Sequence, residues 1–154
     1  MAVKQSRLQR VFGVGPFGSV LSVALLFLAV LLARATPGGW MPVSETVRVV
    51  ALNVGAVGAF LLIWWSLRTL KPKQRGNVLC TTGPFRFVRH PLYASFLSCF
   101  DFGFAIYLGH WAFLCWALAL HPLWHWVIGK EERVMEEQFG QAWRNYAART
   151  GRFF

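Results

Sequence analysis

Two short stretches of this chain concentrate residue types able to do chemistry. The first is Thr81-Thr82-Gly83-Pro84-Phe85-Arg86-Phe87-Val88-Arg89-His90-Pro91-Leu92-Tyr93, a tight turn, then alternating aromatic and basic residues, then a helix start. Proline suits a first helical position because its missing N–H would have no partner there. The free N–H groups after Pro91, with Arg89 and His90 beside them, make a site for an anionic group. The second stretch is Lys130-Glu131-Glu132-Arg133, followed by Phe139-Gly140, Trp143 and Tyr146. Adjacent carboxylates suit a cationic ligand, and aromatic faces attract a cation through the ring quadrupole. Asp101 stands apart, a lone carboxylate in an apolar run. An ionisable residue at membrane depth is costly and is a functional candidate by default, although a hydrogen bond to another helix explains it equally well.

The elements that must position these groups are set by the segregation of charge. Of the 154 residues, 56% are hydrophobic and 14% charged, against roughly a quarter charged in a soluble domain. No Asp, Glu, Lys or Arg lies between Arg10 and Arg34 or between Arg48 and Arg68, and Asp101 alone interrupts His90 to Gly129. A crossing needs about 20 apolar residues. The first two windows therefore predict one span each, Phe12 to Leu32 and Val47 to Leu67. The third is long enough to fold back on itself, as Pro91 to Leu108 and Trp111 to Gly129 with a turn at Gly109-His110. Gly55 and Gly58 are small positions where a neighbouring helix can approach. From Lys130, Met135, Phe139, Trp143 and Tyr146 recur at spacings of three and four, which predicts an amphipathic helix with one aromatic face. The expected fold is thus an all-α membrane protein, a single domain over residues 1–154 with four spans and a C-terminal amphipathic helix.

The net charge of +10 does not predict a nucleic-acid partner, because the basic residues flank apolar windows rather than forming one stripe. Lys4, Arg7 and Arg10, the 68–90 loop and the tail from Lys130 carry most of them, while the other two connections carry Arg34 and Arg48 alone. The positive-inside bias predicts both termini in the cytoplasm. Ala33-Arg34-Ala35 resembles a cleavage site, but the apolar run before it is long for a signal peptide, so a retained span is expected. Cys80, Cys99 and Cys115 predict neither a disulfide framework nor a zinc site. Gly13-Val14-Gly15-Pro16-Phe17-Gly18 fits GxGxxG by letter, but no strand precedes it, so it reads as a flexible lead-in to span one. His121 and His125 share a helix face as metal ligands do, but Pro122 lies between them and Trp124 and Trp126 alternate with them. That reads as an interfacial aromatic belt, with no metal.

Taken together, the two stretches resemble the isoprenylcysteine carboxyl methyltransferase and phospholipid methyltransferase group of membrane enzymes. That group shows a pattern like LvttGPYRYVRHPxY, a helical hairpin, then EExxLxxxFGxxYxxY. Here the residues are LCTTGPFRFVRHPLY from Leu79 to Tyr93 and EERVMEEQFGQAWRNY from Glu131 to Tyr146. Trp143 replaces a tyrosine, Asp101 lies outside the pattern, and the tail differs at Thr150-Gly151-Arg152-Phe153-Phe154.

The resemblance implies methyl transfer from S-adenosylmethionine, with the cofactor entering from the cytosol and a lipophilic acceptor from the bilayer. Glu131 and Glu132 would pair with the cofactor's ammonium or ribose hydroxyls. Arg89, His90 and the helix start at Pro91 would take its carboxylate, and Tyr93, Trp143 and Tyr146 would pack on the adenine or face the sulfonium. Arg133 or Arg144 would orient a carboxylate acceptor, and His90 or Asp101 would accept a proton from an amine or thiol. An isoprenylcysteine-like carboxylate, a lipid amine and a thiol all remain open as acceptors. Four short spans leave the acceptor pocket open to lipid or completed by a second copy of the chain. The alternatives are a membrane reductase of the steroid-reductase type using NADPH, and a non-enzymatic membrane assembly component. With no obvious targeting signal, a bacterial or archaeal plasma membrane is expected.

Overall fold

The computed structural model describes residues 15–74 and 76–154. Lys4, Arg7, Arg10, Gly13, Val14, Arg75 and the expected helix start at Phe12 lie outside the described residues. Among the described residues, four helices are long and apolar enough to cross a membrane: α1, Gly15–Ala35; α2, Glu45–Thr69; α3, Pro91–Leu108; and α4, Trp111–Phe139. A short α5, Gln141–Ala147, follows. The molecule is an all-α membrane protein. Gly15 to Gly18 form the first turn of α1 rather than a flexible lead-in. Ser44 caps α2, its Oγ accepting from the Val47 N–H at 3.3 Å. Glu45 and Arg68 complement the helix dipole at its two ends.

α1 packs along α4, α2 along α3, and α3 against α4, so the order across the molecule is α1–α4–α3–α2. α1 is held by two indoles. Trp116 Nε1 donates to the Ser22 carbonyl at 3.1 Å and Trp124 Nε1 to Ser22 Oγ at 3.0 Å. A Cβ on Gly18 would lie 2.7 Å from the Trp124 ring, so only glycine allows the approach. Trp124 is therefore buried packing rather than part of a belt. Trp126 keeps the outward position, with Lys130 Nζ 5.5 Å from its ring.

α2 and α3 cross through glycines. A Cβ on Gly103 would sit 2.5 Å from the Ala51 carbonyl oxygen and one on Gly55 2.6 Å from that of Cys99, whereas one on Gly58 would meet the Cys99 side chain at 3.7 Å. Of the two glycines marked in α2, Gly55 makes the crossing. Gly103→Ala is expected to force the helices apart and to lower stability by roughly 1–3 kcal/mol, the usual range for overpacking. Thermal melting in detergent checks this, with Gly58→Ala melting like the wild type.

The two connections poor in Lys and Arg meet at one end. His110 is buried, its Nδ1 accepting from the Ala112 N–H at 3.1 Å and its Nε2 lying 2.9 Å from the Thr36 carbonyl. Gly109 turns the chain at φ +73°, and Met41 N–H donates to its carbonyl at 2.8 Å. Arg89, His90 and the paired glutamates are thereby left at the opposite end.

α4 runs without a break through Pro122 and Gly129 to Phe139. The predicted amphipathic helix is thus a continuation of span four, because Glu131 to Gln138 are mostly good helix formers with no breaker among them. The break comes at Gly140, φ +54°. It separates Met135 and Phe139, half-buried on α4, from Trp143 and Tyr146, buried on α5, so these four do not share one helical face.

Candidate functional site

The centre of the site is the Glu132 carboxylate, in the extension of α4 beyond its apolar part. Its Oε1 accepts from Arg89 Nε at 2.9 Å and lies 3.1 Å from His90 Nε2. Its Oε2 accepts from Arg152 Nε at 2.8 Å and stands 2.7 Å from Arg152 NH2. Burial works to raise the carboxyl's proton affinity, but the bonds from His90, Arg152 and Arg89 together outweigh it and hold the pKa down to about 2. Glu132 is ionised at every ordinary pH.

Arg89 organises the tail as well. Its NH1 donates to the Ala147 carbonyl at 2.9 Å and to the Thr150 carbonyl, and its guanidinium lies 5.9 Å from the Trp143 ring centre. Residues 151–152 run beside it like a short strand, with Arg89 N–H donating to the Gly151 carbonyl at 2.7 Å and His90 N–H to that of Arg152 at 3.2 Å. Tyr146 ties α5 to the preceding turn through a 2.5 Å bond to the Phe85 carbonyl. Burial pushes its pKa up to about 12, so the phenol keeps the proton that it donates.

The other predicted residues divide. Glu131 meets Tyr93, whose hydroxyl donates to its Oε2 at 3.3 Å, and the Tyr93 ring stacks obliquely on Trp124 at 4.8 Å. Pro91 opens α3 with His90 as its N-cap. Arg133 and Arg144 are exposed, and Arg144 NH1 pairs with Glu136 at 3.2 Å. Asp101 is not brought into the cluster. It is buried in α3, eleven residues or about 16 Å of helix from His90, immediately after a π-helical turn at Ser95–Phe100. His121 and His125 pack against Phe153, and Arg152 NH1 lies 3.2 Å from His125 Nδ1.

Arg152 is the site residue that sequence reasoning missed, since it counted only as topological charge. No sequence signal singled it out, because the burial of Glu132 and its sharing between Arg89, His90 and Arg152 come from the tertiary fold.

Two cavities adjoin the cluster, sharing Ala147, Ala148 and Arg152. One, about 480 Å³, is lined by Glu132, Glu136, Arg133, Arg144 and Trp143 among others. The other, about 540 Å³, is lined by Arg89, His125, Arg149, Thr150 and Arg152 with neighbouring backbone. The first mixes carboxylates, guanidinium groups and an aromatic face, and the second offers basic groups without a carboxylate.

The family model described as phospholipid methyltransferase matches residues 49–142, more than half of the chain. The chain belongs to the phospholipid methyltransferase family. No curated protein and no solved structure matches it. The family match runs from α2 through the Arg89-His90-Pro91 stretch, the α3–α4 hairpin and both glutamates. It thus contains both halves of the cluster that meet at Glu132. Trp143, Tyr146 and Arg152, which pack around the Arg89–Glu132 cluster in this member of the phospholipid methyltransferase family, come after the matched segment.

Proposed function

We propose that this protein is an integral membrane methyltransferase that uses S-adenosylmethionine and methylates a lipophilic acceptor, with the Glu132 end of the bundle in the cytoplasm. The observation that carries the reading is the contact between stretches 42 and 38 residues apart, His90 with Glu132 at 3.1 Å and Tyr93 with Glu131 at 3.3 Å. These contacts stand where the apolar spans end, so a polar cofactor and a lipid-borne acceptor can reach the same place.

The donor set fits the cofactor. The smaller cavity combines carboxylates for an ammonium, arginines for a carboxylate and the Trp143 face for an adenine. Glu131 is not on that cavity's wall; half-buried and held by Tyr93, it would take the ammonium or a ribose hydroxyl from beside the cavity. Arg133 and Arg144, exposed at the rim, are placed for the carboxylate of the cofactor or of an acceptor. Tyr146 acts at a distance, holding α5 and hence Trp143 in place. When bound, S-adenosylmethionine supplies a methyl group on a sulfonium whose positive charge disappears during transfer. The residues around it contribute chiefly by alignment and by excluding water. A carboxylate acceptor needs no base. For an amine or thiol, His90 is better placed than Asp101 to take the proton, since Asp101 lies about three helical turns away.

Thermal shift in detergent tests this. S-adenosylhomocysteine at about 100 times its Kd adds roughly 2.7 kcal/mol, a rise of about 5–10 °C for a chain of this size. A rise with NADPH and none with S-adenosylhomocysteine would overturn the proposal.

A further inference from the structure

α2 lies at the edge of the bundle and packs along α3, with Gly55 meeting Cys99 and Gly103 at the crossing. Between Val47 and Leu67 its exposed residues are apolar with one exception, Asn53. Successive helical positions turn about 100°, so Asn53 points roughly 160° away from Gly55 and out towards lipid. It stands one turn, or about 6 Å, from Val57 at the middle of the apolar stretch, well inside a hydrocarbon core of roughly 30 Å. Its Nδ2 donates to the Val49 carbonyl at 2.8 Å, which occupies one of the two amide N–H groups. The other N–H and the Oδ1 have no partner among the described residues, and a bare amide in hydrocarbon is costly.

The surroundings of Asn53 fit one kind of partner. Val50, Asn53, Val57, Phe60, Trp64 and Leu67 are all exposed and recur at alternating spacings of three and four. That is the stripe along which two parallel helices interlock their side chains, and a single polar residue within such a stripe fixes the register. An amide is its own electrostatic complement, because the negative carbonyl oxygen of one copy meets the positive N–H of the other. Both copies cross the bilayer in the same sense. A two-fold axis along the membrane normal therefore runs the two α2 helices parallel and sets both Asn53 side chains at one depth. α1, the other edge helix, offers no such match, since its exposed residues from Val20 to Leu32 are all apolar.

We propose that the lipid-facing side of α2 is an interface for a second copy of this chain, centred on a hydrogen-bonded pair of Asn53 side chains. The crossing of α2 with α3 at Gly55 and Gly103 is on the opposite side and stays intact. The Glu132 cluster, at one end of the bundle, takes no part. Dimer formation does not depend on methyl transfer.

The test uses the whole protein in phosphatidylcholine vesicles, with energy transfer between donor- and acceptor-labelled copies followed as added lipid dilutes them. The wild type should show transfer that falls with dilution along a monomer–dimer curve. Asn53→Leu should weaken association about tenfold, and Asn53→Gln, which keeps an amide, should weaken it less. Both variants should keep the helical content of the wild type and its response to S-adenosylhomocysteine, which separates this proposal from the methyltransferase reading. Disulfide trapping locates the interface independently of these variants. With Cys80, Cys99 and Cys115 replaced by alanine, Val57→Cys should give a cross-linked dimer under mild oxidation. Val23→Cys, on the exposed face of α1, should not. Transfer no greater than random proximity at every dilution, equal association by Asn53→Leu and wild type, or trapping through Val23→Cys rather than Val57→Cys overturns the proposal.

Discussion

Replacing Glu132 by alanine is expected to lower the stability of the protein by roughly 3–5 kcal/mol, the usual loss when one partner of a buried ion pair is removed. Arg89 and Arg152 would keep their charges and lose their shared counter-ion. The tail held by Arg89 at Ala147 and Thr150 would loosen with them. The same interactions make stability depend on pH. Glu132 is held at about 2 in the folded protein against an ordinary 4.5. Its contribution is therefore fully present above about pH 4.5 and is lost as pH falls towards 2. At about 1.4 kcal/mol per unit, that contribution is roughly 3 kcal/mol. Melting temperature followed from pH 6 to pH 2 should fall most steeply over the lower half of the range, and Glu132→Gln should lack that component. A wild type and a Glu132→Gln variant with parallel profiles would show that the cluster does not hold this end of the molecule together.

Its neighbour should behave in the opposite way. Glu131→Gln keeps an oxygen for the Tyr93 hydroxyl and removes a charge from a half-buried position. The melting temperature without ligand is expected to stay near that of the wild type. Affinity for S-adenosylhomocysteine should fall about 10- to 100-fold, matching the 1.5–3 kcal/mol of a hydrogen bond to a charged group. Calorimetric titration of the detergent-solubilised protein measures this directly. Unchanged affinity would remove Glu131 from the residues proposed to hold the cofactor, whereas a loss of folding would mean that it is structural, as Glu132 is.

The contrast between these adjacent glutamates shows where reading the chain stops. Both stand next to each other in one motif, and nothing in their spacing tells them apart. On a helix, consecutive residues point about 100° apart. Glu132 turns inward to two arginines and a histidine, while Glu131 turns towards Tyr93. The same limit applies to Arg152. Its partner lies 20 residues away, and only the return of the chain after Gly140 brings the two together.

What the sequence determined by itself is the four-span plan, the α3 boundaries at Pro91 and Leu108, the turn at Gly109 and the two motifs that carry the family resemblance. These follow from local quantities, namely the length of apolar chain needed to cross a bilayer and the backbone habits of proline and glycine. Tertiary structure decided that α1 sits on α4 and α2 on α3, that Trp124 is buried, that α4 continues to Phe139 and that Asp101 stays away from the cluster. In an apolar solvent every hydrophobic face is acceptable to lipid. Pairing of the helices therefore rests on close approach at Gly18, Gly55 and Gly103 and on a few hydrogen bonds such as those to Ser22, which are visible only once the helices have met.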